Sequence, residues 1–162
     1  ILAIQFKGSF EGSDGLRHFE ISKWSWYHHE LYLDLWGKPF FTLISSPFSH
    51  FGLLGIKIFN ILCALASGYF VYRISEKMNF TSPVLSLIFL FFLPMYFFGI
   101  NSGYTEPLFG LIVVYAIYEY GNSKYILPTL LLSFLPFVRS EGYLLLPIFA
   151  LVLLFEKKWL HI

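Results

Sequence analysis

Residues 134–149, FLPFVRSEGYLLLPIF, set an arginine and a glutamate two positions apart in one of the most apolar parts of the chain. Between Tyr125 and Phe155, Arg139 and Glu141 are the only charged residues. A charge at the centre of a bilayer costs about 2.5–3.5 kcal/mol on insertion scales, so such residues call for a chemical reason. A cation at a helix start opposes the macrodipole unless an anion sits beside it, and arginine with free backbone N–H groups makes a phosphate site. Asp14, in EGSDGLRHFE, precedes a predicted helix. A loop carboxylate facing a wet crevice could take a proton from an acceptor hydroxyl or amine. With the helix starting near Gly15, His18 falls one turn beyond Asp14 on the same face. Glu106, in NSGYTEPLFG, completes the set. Each residue also has a simpler reading: Asp14 as the N-cap of its helix, Thr105–Glu106–Pro107 and Ser140–Glu141 as helix starts, and Lys38, between Trp36 and Pro39, as an interfacial anchor. His28–His29 with Glu30 and Asp34 suggest a metal, but adjacent histidines do not share a helix face, so no metal site is expected. The lone Cys63 excludes disulfides and cysteine metal sites within the chain.

The elements that must position these residues are membrane helices. The chain is 57% hydrophobic and 22% aromatic, with 13% charged residues and mean hydropathy +0.66, against about 25% charged in soluble domains. An all-α, multi-pass transmembrane bundle follows, one domain over 1–162. The chain opens on ILAIQF and closes on EKKWLHI, which reads as a piece cut from a longer protein. Residues 7–50 differ from the rest. They hold three of the four Trp and four of the five His, and their apolar and polar residues alternate at helical spacing. Interface helices in an extracytoplasmic loop are predicted there, the second over 39–48, after the Gly37–Lys38–Pro39 break. Membrane helices follow through 51–155: one at 51–72, one at 84–99 kinked at Pro94, one at 104–120, and a last region, 125–155, split at 139–142.

Alternating crossings place Arg73, Lys77, Lys124, Lys157 and Lys158 on one side. Glu11, Asp14, Glu20, Glu30, Asp34, Glu106 and Glu141 fall on the other, so the positive-inside rule sets the 7–50 loop outside the cytoplasm. The NFT acceptor at Asn79 then lies on the cytoplasmic side. A single helix over 125–155 would be roughly 46 Å long, beyond a core of about 30 Å, whereas two halves of about 14 residues reach only roughly 21 Å each. The RSEG turn therefore sits at membrane depth, where irregular backbone must line a protein-enclosed or wet cavity. No basic block suggests nucleic acid.

This order of features resembles the GT-C superfamily of polytopic glycosyltransferases, which use polyprenyl-phosphate-linked sugars. The likeness rests on SDGLRHFEIS in the first loop, on WGKPFFTLISSPFSHFG running into the next helix, and on TEPLF and RSEG, similar to Glu and Arg positions of bacterial and mannosyltransferase-like members. It covers nearly the whole chain. It implies an inverting sugar transfer to a lipid, glycan or protein acceptor at the extracytoplasmic face of a bacterial or archaeal cell membrane, or of the endoplasmic reticulum. By position, Asp14 matches the family's catalytic first-loop acid, Arg139 a cation holding the donor phosphate, and Lys38 its helper, while His18, Glu106 and Glu141 shape the pocket. Many members pair two acids in this loop. Here Gly15 follows Asp14, a departure that speaks against a metal, and no cofactor is expected. Two rival readings are a transporter or lipid flippase, with a broken helix at its site, and a non-catalytic membrane subunit whose loop binds a partner.

Overall fold

The computed structural model describes residues 2–5, 8 and 13–155, and these contain helices and no strand. Helices α1 (Leu2–Gln5), α2 (Ser13–Trp24) and α3 (Pro39–Ser49) precede α4 (Leu53–Lys77), with a 3₁₀ turn at His29–Leu33. Then come α5 (Pro83–Phe92), α6 (Pro94–Ile100), α7 (Glu106–Gly121), α8 (Ile126–Ser133), a 3₁₀ turn at Leu135–Phe137, and α9 (Gly142–Phe155). Glu11 and the segment carrying Lys157 and Lys158 lie outside the described residues.

Only α4, at 25 residues, is by itself long and apolar enough among the described residues to cross a bilayer. Helices α5 and α6 qualify only as a pair, and they are bent by 71°. The break has a local cause: Pro94 lacks an N–H, and the residue before a proline is driven to extended backbone, as Leu93 is at φ −64°, ψ 117°. Helix α7 has 16 residues, roughly 24 Å at 1.5 Å per residue. The region expected at 125–155 divides as the charges suggest, with α8 and its 3₁₀ turn on one side of the RSEG turn and α9 on the other. The runs predicted at 84–99, 104–120 and 125–155 thus fold as short or broken helices.

The core forms where α4 lies against α7. Ile56, Phe59 and Cys63 meet Leu108, Ile112 and Ala116, and Phe41, Leu132, Leu135 and Val138 close the cluster. The first loop packs differently from an ordinary amphipathic helix pair. Helix α2 turns His18, Ile21 and Ser22 inward and leaves Leu16 and Trp24 exposed; just beyond its end Ser25 is buried and Trp26 and Tyr27 are exposed. The α2–α3 seam is a run of hydroxyls: Ser22 Oγ and Ser45 Oγ are 2.7 Å apart, and Ser49 Oγ donates to Ser22 Oγ at 3.0 Å. The small polar face therefore holds the pair together, and the aromatic face stays outside.

Two close approaches fix the turns that matter for the site. A Cβ on Gly103 would lie 2.1 Å from the Gly15 carbonyl oxygen, so the start of α2 rests directly on the loop after α6. A Cβ on Gly142 would lie 2.4 Å from the Leu135 carbonyl carbon, so the RSEG turn folds tightly onto the preceding 3₁₀ turn.

Candidate functional site

Four separate stretches meet at one cavity of about 370 Å³. The first two turns of α2 bring Asp14 and His18, the turn before α3 brings Trp36 and Lys38, the loop into α7 brings Tyr104, Thr105 and Glu106, and the RSEG turn brings Arg139, Ser140 and Glu141. All six side chains singled out in the sequence line it.

Asp14 and Glu106 lie in the first turns of α2 and α7, where the macrodipole favours an acid. Helix α2 begins at Ser13, so Asp14 is inside the helix rather than its N-cap. Nor does Thr105 cap α7 with its side chain; its Oγ1 lies 3.5 Å from Arg139 Nη1.

The anion expected beside Arg139 is present as two protein carboxylates. Arg139 Nη2 donates to Glu141 Oε1 at 2.6 Å and Nε donates to Glu141 Oε2 at 3.2 Å, a bidentate pair along one edge of the guanidinium. On the other edge, Nη1 pairs with Glu106 Oε1. Glu141 is the more exposed carboxylate, at 55% against 42% for Glu106, and Arg139 is 26% exposed. Lys38 Nζ donates to Ser140 Oγ at 3.0 Å, linking the two turns across the cavity. The turn that carries it is shaped by Gly37 N donating to Asp34 Oδ1 at 2.8 Å, and Lys38 itself has φ +62°.

His18 is 9% exposed and sets its ring edge against Phe41. Burial lowers its pKa below the ordinary 6.5, with Lys38 and Arg139 adding to the effect and Asp14 opposing it, so the ring is neutral at pH 7. Its Nδ1 is buried without a hydrogen-bond partner, and so is Glu106 Oε2. Three acids face two bases around the cavity, a formal charge of −1. No group of three His, Cys, Asp or Glu among the described residues is placed to hold a metal.

Two residues escaped the sequence reading, both in the long helix α4. Asn60, fully buried in α4, donates through Nδ2 to the carbonyls of Ser102 at 2.8 Å and Tyr104 at 3.0 Å, with Gly99 O at 3.4 Å. It fastens the loop that delivers Glu106. Lys57, one turn earlier and 1% exposed, donates to Gly8 O at 2.7 Å. A lysine and an asparagine three apart in an apolar run were the available signal, since polar side chains at membrane depth face protein rather than lipid.

Searches against family models, curated proteins and solved structures gave no match to this chain.

Proposed function

We propose that this chain belongs to a multi-pass membrane glycosyltransferase of the polyprenyl-phosphate-sugar class, with the cavity between α2, α7 and the RSEG turn as its transfer site. In this reading α5–α6, α7 and α8–α9 cross the membrane beside α4. One observation carries the proposal: an acid on the first loop faces, across one pocket, the two cations that a lipid phosphate requires, although the sequence scatters them over separate elements. An apolar groove of about 800 Å³ is lined by Ile61, Leu65, Phe91, Phe97 and Asn101, the last of them three residues before Tyr104 of the polar pocket. It suits the prenyl chain of a donor.

In the transfer, an acceptor oxygen or nitrogen forms a bond to the anomeric carbon as the bond from that carbon to the phosphate oxygen breaks. The electron pair leaves on the phosphate, and the acceptor proton passes to Asp14. Charge therefore grows on the phosphate in the transition state, where Lys38 and Arg139 act on the step itself. The phosphate takes the Nε–Nη2 edge of Arg139 in place of Glu141, the carboxylate nearer to solvent, while Glu106 keeps Nη1.

The test is sugar transfer by the full-length protein in lipid nanodiscs, supplied with polyprenyl-phosphate-linked sugars. Asp14→Asn should lower turnover by about 10²–10⁴, the usual range for a lost general base, while the lipid donor stays bound. Arg139→Ala should lose more than Arg139→Lys, and Lys should remain impaired for want of the planar fork. Wild-type turnover in Asp14→Asn, or a wild type that neither binds nor uses such donors, would overturn the proposal.

A further inference from the structure

The two carboxylates on Arg139 are attached to it in different ways. Glu106 reaches Nη1 from the first turn of α7, a separate helix whose entry loop is fastened by Asn60. Glu141 stands in the same turn as Arg139, two residues on, and takes the Nε–Nη2 edge with both oxygens, at 3.2 and 2.6 Å. It is also the more exposed of the two. Backbone hydrogen bonds close that turn, from Gly142 N to Arg139 O at 3.0 Å and from Tyr143 N to Ser140 O at 3.1 Å. Gly142 packs on Leu135 with no room for a Cβ. A Glu141 side chain that swings off Arg139 therefore stays within reach of it. A group tethered so closely competes with a free ligand at an effective concentration on the order of millimolar or more. Lys38 differs again: it donates to a neutral hydroxyl, Ser140 Oγ, which sets no charge against a phosphate.

This rivalry matters most after transfer. The donor is a phosphodiester with one negative charge. When the bond to the anomeric carbon breaks and its electron pair stays on the phosphate oxygen, the lipid is left as a monoester of about −1.5 to −2 at pH 7. The cations that favour this charge as it develops also hold it once it has formed, so a site suited to the step is prone to keep its product. A carboxylate returning to the Nε–Nη2 edge takes the fork back. Its charge also repels a dianion more than a monoanion, since Coulomb energy scales with the product of the charges.

We propose that Glu141 is a built-in rival of the phosphate, which reclaims the Arg139 fork as the spent lipid phosphate departs and so speeds product release. The inference deepens the transferase reading and rests on it for the identity of the occupant, whereas the competition itself is tested by binding alone. Full-length protein in nanodiscs is titrated at pH 8 and low salt with farnesyl phosphate, with its methyl diester and with inorganic phosphate. The fluorescence of Trp36, which lines the cavity, reports binding, with Trp36→Phe as the blank. Glu141→Gln and Glu141→Ala should bind farnesyl phosphate about two- to fivefold more tightly than wild type, the range set by an exposed ion pair that no longer competes. The diester should gain less. In transfer assays the inhibition constant of farnesyl phosphate should fall by the same factor. A side chain that only shaped the turn would move the affinity the other way when removed.

If wild type bound farnesyl phosphate and both variants bound it no more tightly, the role of Glu141 would be overturned and the transferase would stand. Inorganic phosphate bound as tightly as farnesyl phosphate would overturn the lipid product as the occupant. No binding of farnesyl phosphate by wild type or either variant would remove Glu141's role together with the phosphate role of Arg139. Tighter binding by both variants of a protein that transfers no sugar would remove the transferase and leave Glu141 as the rival of a bound phosphate.

Discussion

Replacing Asn60 by leucine isolates the contribution of a residue that does not itself line the cavity. The side chain is fully buried, and its Nδ2 supplies the carbonyls of Ser102 and Tyr104. A third acceptor, Gly99 O, also receives Ser102 N at 3.3 Å and Ser102 Oγ at 3.2 Å, so it stays satisfied in the variant. Two hydrogen bonds are therefore lost, at about 0.5–1.5 kcal/mol each, and the buried Ser102 carbonyl is stranded at about 1–3 kcal/mol. Against this, Asn60 Oδ1 already lacks a partner, and its removal returns part of the loss. The net expectation is about 2–4 kcal/mol of destabilisation.

Chemical unfolding of wild type and variant in the same detergent measures the stability, and amide hydrogen exchange over residues 101–105 localises it. Exchange there should accelerate while the serine-lined α2–α3 seam keeps its protection, and transfer from a lipid-linked donor should slow because Glu106 is no longer held in place. If Asn60→Leu unfolded within about 0.5 kcal/mol of wild type, with the 101–105 amides as protected as before, the role of Asn60 as the anchor of that loop would be refuted.

Other outcomes follow from the same geometry. In double-mutant cycles, Arg139 should couple to each carboxylate by about 0.2–1 kcal/mol, more to Glu141, which it holds with two hydrogen bonds, than to Glu106, and an inverted order would contradict the bidentate pairing. His18 is held neutral below its ordinary pKa of 6.5, so the unfolded chain binds its proton first as the pH falls. Its contribution is fully present above pH 6.5 and is lost as the pH drops towards the lowered native value. Unfolding midpoints should therefore fall between pH 7.5 and 5 in wild type and fall less in His18→Gln. Gly103→Ala should lift the start of α2 off its seat at about 1–3 kcal/mol and abolish transfer from a lipid-linked donor. Gly99→Ala, whose Cβ meets nothing within 4 Å, should leave both intact.

The sequence was most informative where a local rule and a chemical oddity coincided. Proline at 39 and 94 and the charge pair at 139–141 broke apolar runs where the helices break. The charges stood out because they are costly in such surroundings, and that is why the cavity's charged residues could be found one by one. Their mutual pairing was not legible. Nothing in RSEG says that Arg139 spends both edges on carboxylates, one of them from a helix more than thirty residues earlier. The inward face of α2 was not legible either, for a related reason. Apolar periodicity assumes that the greasy side packs, whereas close approach through serines and glycine, as at Gly15 on Gly103, is a property of the partner surface. Asn60 stayed hidden because its acceptors are carbonyls of a loop whose path depends on the bend between α5 and α6.

The positive φ of Lys38 sets durability against reactivity at a single position. A non-glycine residue in that region carries roughly 1–3 kcal/mol of backbone strain, and the following Pro39 narrows its options further. Glycine would relax the turn and deprive the cavity of its ammonium, so Lys38→Gly should yield a sturdier protein that handles phosphate poorly. Lys38→Ala should keep the strain and lose the charge, and be inferior on both counts. Selection for thermal robustness alone would thus tend to disarm this site, and a laboratory screen that scored only heat resistance would be expected to find glycine at 38.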